Sequence, residues 1–315
     1  KHVSKSLFSN TDSLLLRRRR RSGRRRYTVP MAGTFFKIFF LALGIVFPLF
    51  AQAASPTLSI LPQNIMQGEP VEIVVQGATL RQVKSISFNG GKLGVFLYKN
   101  KPTALVGIGI NQKPSVYTVS AVLSDGTTLE TDVVVGERKK RSVAFSIPEK
   151  LGGNSTSSQQ TLVKALANEN RQLIGLPTTA KALWTQEFLY PLSQSTVTDE
   201  YGYARQTGNT SILHKGTDFR AKEGTPVVAM NRGIVRLAKH FRDYGNTVII
   251  DHGLGLMTFY MHLSKIQVNV GELVRQGHMI GLSGQTGYAA QPHLHLTVRI
   301  NDVSIDPIKF MALSK

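Results

Sequence analysis

The sequence predicts a mainly β protein: an N-terminal immunoglobulin-like β-sandwich, a short helical connector and a C-terminal antiparallel β-sheet domain. Three observations carry this. Short β-branched or alternating runs recur between residues 55 and 135, a single helix-forming stretch follows, and glycine-punctuated strands return from about Trp184. The boundaries they imply are 54–137 for the sandwich, 138–183 for a linker with a helix, and 184–315 for the C-terminal domain.

The residues ahead of the sandwich read as targeting sequence. Residues 1–30 hold ten Lys or Arg, including the runs Arg17 to Arg21 and Arg24 to Arg26, against one acid, Asp12. Met31 then opens a segment with the three parts of a secretory signal: Lys37, the apolar stretch Ile38 to Phe50, and the small-x-small site Ala51-Gln52-Ala53. We therefore expect residues 1–30 to be a disordered upstream extension, 31–53 a signal peptide, and the mature chain to be exported to the periplasm or cell envelope. The apolar stretch falls short of the about 20 residues of a membrane span, so no stable span is expected after cleavage. The same reading removes the arginine runs from the mature chain, and with them the case for nucleic acid. From Ala54 onward, 27 basic against 18 acidic residues suit an anionic wall or envelope surface.

Within the sandwich, strands are predicted at Val71 to Val75, Ser85 to Phe88, Gly94 to Tyr98, Ala104 to Ile108, Tyr117 to Leu123 and Thr128 to Val135. Turn signals at Asn89-Gly90-Gly91, Lys113-Pro114 and Asp125-Gly126 separate them. Catalytic residue types do not gather here, which suggests a spacer or docking module. The basic knot Arg138-Lys-Lys-Arg141 reads as solvated linker, and Gln159 to Leu173 as a helix with Leu162, Leu166 and Leu173 on one stripe.

In the C-terminal domain, strands are predicted at Thr225 to Ala229, Gly233 to Leu237, Asn246 to Asp251, Leu256 to Met261 and His293 to Ile300. Four of the eight histidines fall in three short segments here: His214 in His-Lys-Gly-Thr-Asp, His262 in Tyr-Met-His-Leu, and His293 and His295 in Pro-His-Leu-His-Leu. A strand's period of two puts His293 and His295 on one face, as a metal site or an exposed binding face requires. His214 and Asp218, straddling Gly216, can bring an imidazole and a carboxylate to one cation. With no cysteine, disulfides, thiolate metal sites and a cysteine nucleophile are all excluded, so a metal must be held by nitrogen and oxygen. One His, one Asp and one member of the His-x-His pair make a zinc-type ligand set. The other histidines remain for proton transfer or oxyanion stabilisation.

These motifs resemble the lysostaphin-like, LytM-type zinc peptidoglycan endopeptidases. The resemblance covers about 185–315 and rests on His214-x-x-x-Asp218, Tyr260-Met-His262-Leu and Pro292-His-Leu-His295. The surrounding Gly224-Thr-Pro-Val, Asp251-His-Gly-Leu-Gly and Ile280-Gly-Leu-Ser-Gly-Gln-Thr-Gly287 extend it. It implies one Zn²⁺ on His214, Asp218 and His295, with His262 and His293 as general base and transition-state stabiliser. It also implies peptidoglycan as substrate, cut at a peptide cross-link. Some relatives lack ligands and act only as activators. The alternative is therefore a catalytically silent LytM-like envelope protein that regulates another wall hydrolase, and a regulatory envelope protein is a further expected partner. The oligomeric state is not fixed by the sequence. One departure stands out: the chain has Glu200-Tyr201-Gly-Tyr where the family usually has Phe-Gly, which bears on groove shape more than on metal binding.

The remaining histidines read as structural. His252 sits at a strand-to-turn boundary, and His240 and His278 lie in polar loops. Tyr201, Tyr203 and Tyr260 read as packing residues, and Arg205 as a partner for a carboxylate near the groove.

Overall fold

The computed structural model describes residues 55–207 and 210–315. The extension and signal peptide expected at 1–53 lie outside the described residues.

The first nine strands build two facing sheets. They are β1 (Thr57–Leu61), β2 (Ile65–Met66), β3 (Pro70–Gln76), β4 (Val83–Phe88), β5 (Gly91–Leu93), β6 (Val95–Tyr98), β7 (Lys101–Gly107), β8 (Ser115–Leu123) and β9 (Thr128–Gly136). One sheet runs β1-β3-β7-β6 and the other β2-β9-β8-β4-β5. Alternation in β8 turns Tyr117, Val119, Ala121 and Leu123 inward. There they meet Ile73 and Val75 of β3 and Val133 of β9 in one core.

The connector contributes β10 (Ser142–Ala144) and helix α1 (Thr156–Gln172), whose first turn is capped by the Ser155 side chain accepting from the Ser158 amide. Leu162 and Leu173 are buried as the predicted stripe requires.

The C-terminal region begins with β11 (Val197–Asp199), β12 (Ala204–Thr207), β13 (Thr210–Leu213), β14 (Thr217–Arg220) and β15 (Pro226–Val228). It continues through β16 (Gly233–Phe241), β17 (Gly245–Gly253), β18 (Leu256–Leu263), β19 (Lys265–Ile266), β20 (Leu273–Val274) and β21 (Met279–Leu282). It closes with β22 (His293–Ile300), β23 (Val303–Ile305) and α2 (Pro307–Leu313). An eight-stranded sheet runs β11-β14-β22-β18-β17-β16-β20, with β23 paired to β22. Even-numbered residues of β22, from Leu294 to Ile300, enter the main core with Val248, Ile250 and Tyr260. The opposite face carries His295, Thr297 and Arg299 beside a second apolar cluster of Met257, Phe259, Met261 and Leu173. Both faces of the central strands are thus covered, and the sheet reads in sequence as nearly continuous hydrophobic runs.

In the basic knot Lys139, Lys140 and Arg141 are exposed as expected of a solvated linker, and Arg138 departs from that reading. Arg138 makes a 3.0 Å ion pair with Asp306, donates from Nε to the Gln67 carbonyl at 2.8 Å, and lies over the Tyr201 ring. Its acids come from positions far away in sequence, so a local reading sees only a charge run. Asp306 also caps α2 through the Ile308 and Lys309 amides, at 3.0 and 3.3 Å. Nearby, Phe96 of β6 packs edge-on against Trp184 at 5.1 Å, which joins the sandwich to the larger core.

His252 is fully buried, with Nδ1 donating to the Arg232 carbonyl at 2.9 Å and Nε2 at 2.8 Å from Thr258 Oγ1. Burial drives its pKa down to about 4, outweighing the Arg232 bond and the nearby Asp251 charge. The folded state therefore holds it neutral, while the unfolded chain takes up a proton near pH 6.5. Stability from this residue is present above that pH and is lost as pH falls towards 4, by up to about 3 kcal/mol. Urea unfolding between pH 7 and 4.5 should show the stability gap between wild type and His252→Asn narrowing as pH drops.

Candidate metal centre

Three neighbouring strands and one loop assemble the centre. In the antiparallel pairing of β14 with β22, Asp218 lies directly opposite His295. His214 follows β13 and reaches the same point across Gly216. A Cβ on Gly216 would collide with the His295 ring and the Leu296 carbonyl, which explains the glycine inside the His-Lys-Gly-Thr-Asp segment. Met261 of β18 pairs with His295, so regular alternation would send His262 to the far face. Instead the β17–β18 register shifts at this point, and His262 takes a left-handed φ of 62°. Its ring lies 4.8 Å from that of His293 and 5.9 Å from that of His295.

Hydrogen bonds around the cluster fix which ring nitrogens carry protons. Nδ1 of His214 lies 2.8 Å from the Glu200 carbonyl, which can only accept, so Nδ1 donates and Nε2 keeps its lone pair. Nε2 of His295 lies 2.9 Å from Thr297 Oγ1, whose own proton goes to the Lys215 carbonyl at 3.2 Å. His295 thus donates from Nε2 and turns the lone pair of Nδ1 inward. His214 Nε2, His295 Nδ1 and Asp218 Oδ1 then converge, with separations of 3.0, 2.7 and 3.1 Å. Three acceptors this close repel one another unless a proton or a cation stands among them. The residues fit a metal, and together they form a buried His–Asp–His cluster able to hold one.

The other carboxylate oxygen of Asp218 is held by Arg205 Nη2, which also pairs with Asp199 at 2.6 Å. Arg205 is itself 6% exposed and stacks over the Phe145 ring at 4.7 Å. Burial acts to raise the Asp218 carboxyl, but when a proton rather than a cation stands among the three atoms, the charge on His214, then that on Arg205, and hydrogen bonds from the two histidines override it. The carboxyl stays well below the usual carboxylate range. Burial lowers His295 to about 4. It also holds His262 well below its ordinary value, with the charges of His293 and His295 acting the same way.

His262 Nδ1 donates to the Thr286 carbonyl at 2.9 Å, leaving the lone pair on Nε2. His293 Nδ1 donates to the Gln291 carbonyl at 2.8 Å. Its Nε2 is buried without a hydrogen-bond partner, 3.6 Å from Asp218 Oδ2. All five side chains singled out in the sequence therefore meet in one place. A cavity of about 410 Å³ opens against them, lined by His214, His262 and His295 on one side and Val163, Leu166 and Asn170 of α1 on the other. His240 and His278 are exposed and make no contact with the five side chains among the hydrogen bonds and ion pairs described, and His252 and Tyr260 are buried on the core side. Thr297 went unnoticed in the sequence, although its place two residues beyond His295 puts it on the same strand face.

Residues 212–307 match Peptidase family M23 and form an M23 peptidase domain. Over 96 residues the chain is 43% identical to the peptidoglycan DD-endopeptidase ShyA of Vibrio cholerae, covering 30% of this chain and 22% of that protein. Over 119 residues it is 38% identical to the DD-carboxypeptidase/endopeptidase Mpg of Neisseria meningitidis, covering 38% of this chain and 27% of that one. The chain thus spans about a quarter of the length of these curated relatives. A crystallised candidate peptidase M23 from Pseudomonas aeruginosa superposes with a TM-score of 0.54 at 23% identity, covering 81% of this chain and 97% of that one, a likeness of fold. Asp199, Glu200 and Arg205, which support the cluster, precede the matched segment.

The full chain is expected to take up one equivalent of Zn²⁺ in competition with a chromophoric chelator. Asp218→Ala should weaken that binding by more than about 100-fold, because even loss of an outer-shell partner costs 10–100-fold.

Proposed function

We propose that the chain is an exported zinc endopeptidase that hydrolyses amide bonds in the peptide cross-links of bacterial peptidoglycan. The observation that carries this reading is the convergence of three acceptor atoms beside two further histidines, one with a free lone pair and one with an unpartnered Nε2. Similarity to two enzymes named for peptidoglycan or DD-peptide cleavage supports the substrate class.

In this reading His214, Asp218 and His295 hold one Zn²⁺. A cation there supplies Lewis-acid polarisation of the scissile carbonyl and a water acidified towards neutrality. His262 would take the proton of an attacking water at Nε2, an atom kept as acceptor by the Nδ1–H bond to the Thr286 carbonyl. His293, anchored through Nδ1 to Gln291, offers Nε2 to the developing oxyanion when protonated. Arg205 occupies the outer oxygen of Asp218 and so directs Oδ1 inward.

We also assign residues 54–137 to an immunoglobulin-like spacer or docking domain, 138–183 to the connector and 184–315 to the peptidase domain. Export rests on the signal-like segment 31–53 and the basic mature chain. Among the described residues no helix is long and apolar enough to cross a membrane.

Zinc-loaded full chain is expected to release soluble peptides from purified sacculi, and EDTA to stop the release. His262→Ala and His293→Ala should each retain one zinc and lose at least about 100-fold in rate. A zinc-loaded chain that leaves both sacculi and defined cross-linked muropeptides intact would falsify the reading.

A further inference from the structure

Helix α1 lies on the catalytic face of the sheet. Arg299, on the same face of β22 as His295, donates to the Leu173 carbonyl at 2.7 Å and to Asn170 Oδ1 at 2.8 Å. Leu173 joins Met257, Phe259 and Met261 on that face. Glu169 is the single acid of α1, yet it is 6% exposed. Its carboxylate accepts from two consecutive amides in the turn between β16 and β17: Asp243 N–H at 3.0 and 3.2 Å, and Tyr244 N–H at 3.0 Å.

That turn belongs to the catalytic groove. The Tyr244 carbonyl accepts from the His262 amide at 3.1 Å, so the two N–H groups sit on the segment that fixes the proposed base. Consecutive backbone amides aimed at one point are an anion seat. The seat also adjoins the buried Asp243 carboxylate, whose Oδ2 has no partner and whose pKa is pushed up to about 6, by burial first and with Glu169 adding to it. A contact serving stability alone would be met at lower electrostatic cost by a neutral amide side chain. Leu162 of the helix packs with Ile147 and Tyr288, but the contacts it makes with the sheet's groove face include these polar ones, and its Val163 remains 43% exposed.

We propose that the amides of Asp243 and Tyr244 form a carboxylate-binding subsite of the groove, filled in this structure by Glu169, which a carboxylate of the peptide substrate takes when α1 moves away. The substrate class rests on the peptidoglycan reading, since stem peptides carry free carboxylates. α1 is then an internal occupant of the groove, and Glu169 competes with substrate for one seat.

Calorimetry on the zinc-loaded full chain tests this with an uncross-linked stem tetrapeptide bearing free carboxylates and with its fully amidated counterpart. The free peptide should bind Glu169→Ala at least about tenfold more tightly than wild type, because alanine has no oxygen to fill the subsite and it no longer has to be vacated. The amidated peptide should show no such gain, and hydrogen exchange of α1 amides should quicken by at least about tenfold. Asn170→Ala, which loosens α1 without altering the seat, should shift affinity for the free peptide the same way and keeps the test available if Glu169→Ala folds poorly. Equal gains for both peptides, or no gain for either, overturn the subsite. If sacculi stay uncut while the carboxylate preference is present, the hydrolase reading fails and the subsite stands. If sacculi are cut and the preference is absent, the subsite alone fails.

Discussion

The structure turns on the pairing of Asp218 with His295 across β14 and β22. That register sets a carboxylate oxygen 2.7 Å from an imidazole nitrogen in a buried position, and His214 is brought to both across a glycine. Every neighbouring choice is consistent with keeping three lone pairs turned inward. The Glu200 carbonyl and Thr297 hydroxyl absorb the outer protons of the two histidines, and Arg205 absorbs the outer oxygen of the aspartate. Leaving such groups unmatched in a buried site would cost more than any one of these contacts contributes.

Support for that geometry extends beyond the M23 segment. Arg205 stands on β12, which pairs in parallel with β10 from the connector, and Phe145 just beyond β10 covers the guanidinium. The connector therefore does two things on the same face of the sheet. Its first part braces the support of Asp218, and its helix lines the cavity against the histidines. The sandwich joins the same framework through Phe96 against Trp184 and through the Gln67–Arg138–Asp306 contacts.

What was legible in the sequence follows from how locally each feature is encoded. The alternation of β22 exposed both its strand character and the shared face of His293 and His295, since period two is a local property. The strands of the sandwich were legible for the same reason, although two-residue strands such as β2 and β20 are too short to leave a pattern. His262 was identifiable as a candidate by residue type, but not its arrival beside His293 and His295, because a left-handed residue at a register shift breaks the alternation. Arg138 and Glu169 were misjudged or unnoticed for one reason. Their partners lie 168 and 74 residues away, and a charge on a helix or in a linker reads as solvated until the fold supplies its counterpart.

The central claim is that the three converging atoms are metal ligands and the two other histidines are not. Anomalous diffraction from crystals of the zinc-soaked full chain, collected on both sides of the zinc edge, tests it most directly. The account predicts one peak, bonded to Nε2 of His214, Oδ1 of Asp218 and Nδ1 of His295. A peak bonded to His262 or His293 instead, or none at these three atoms, would contradict it.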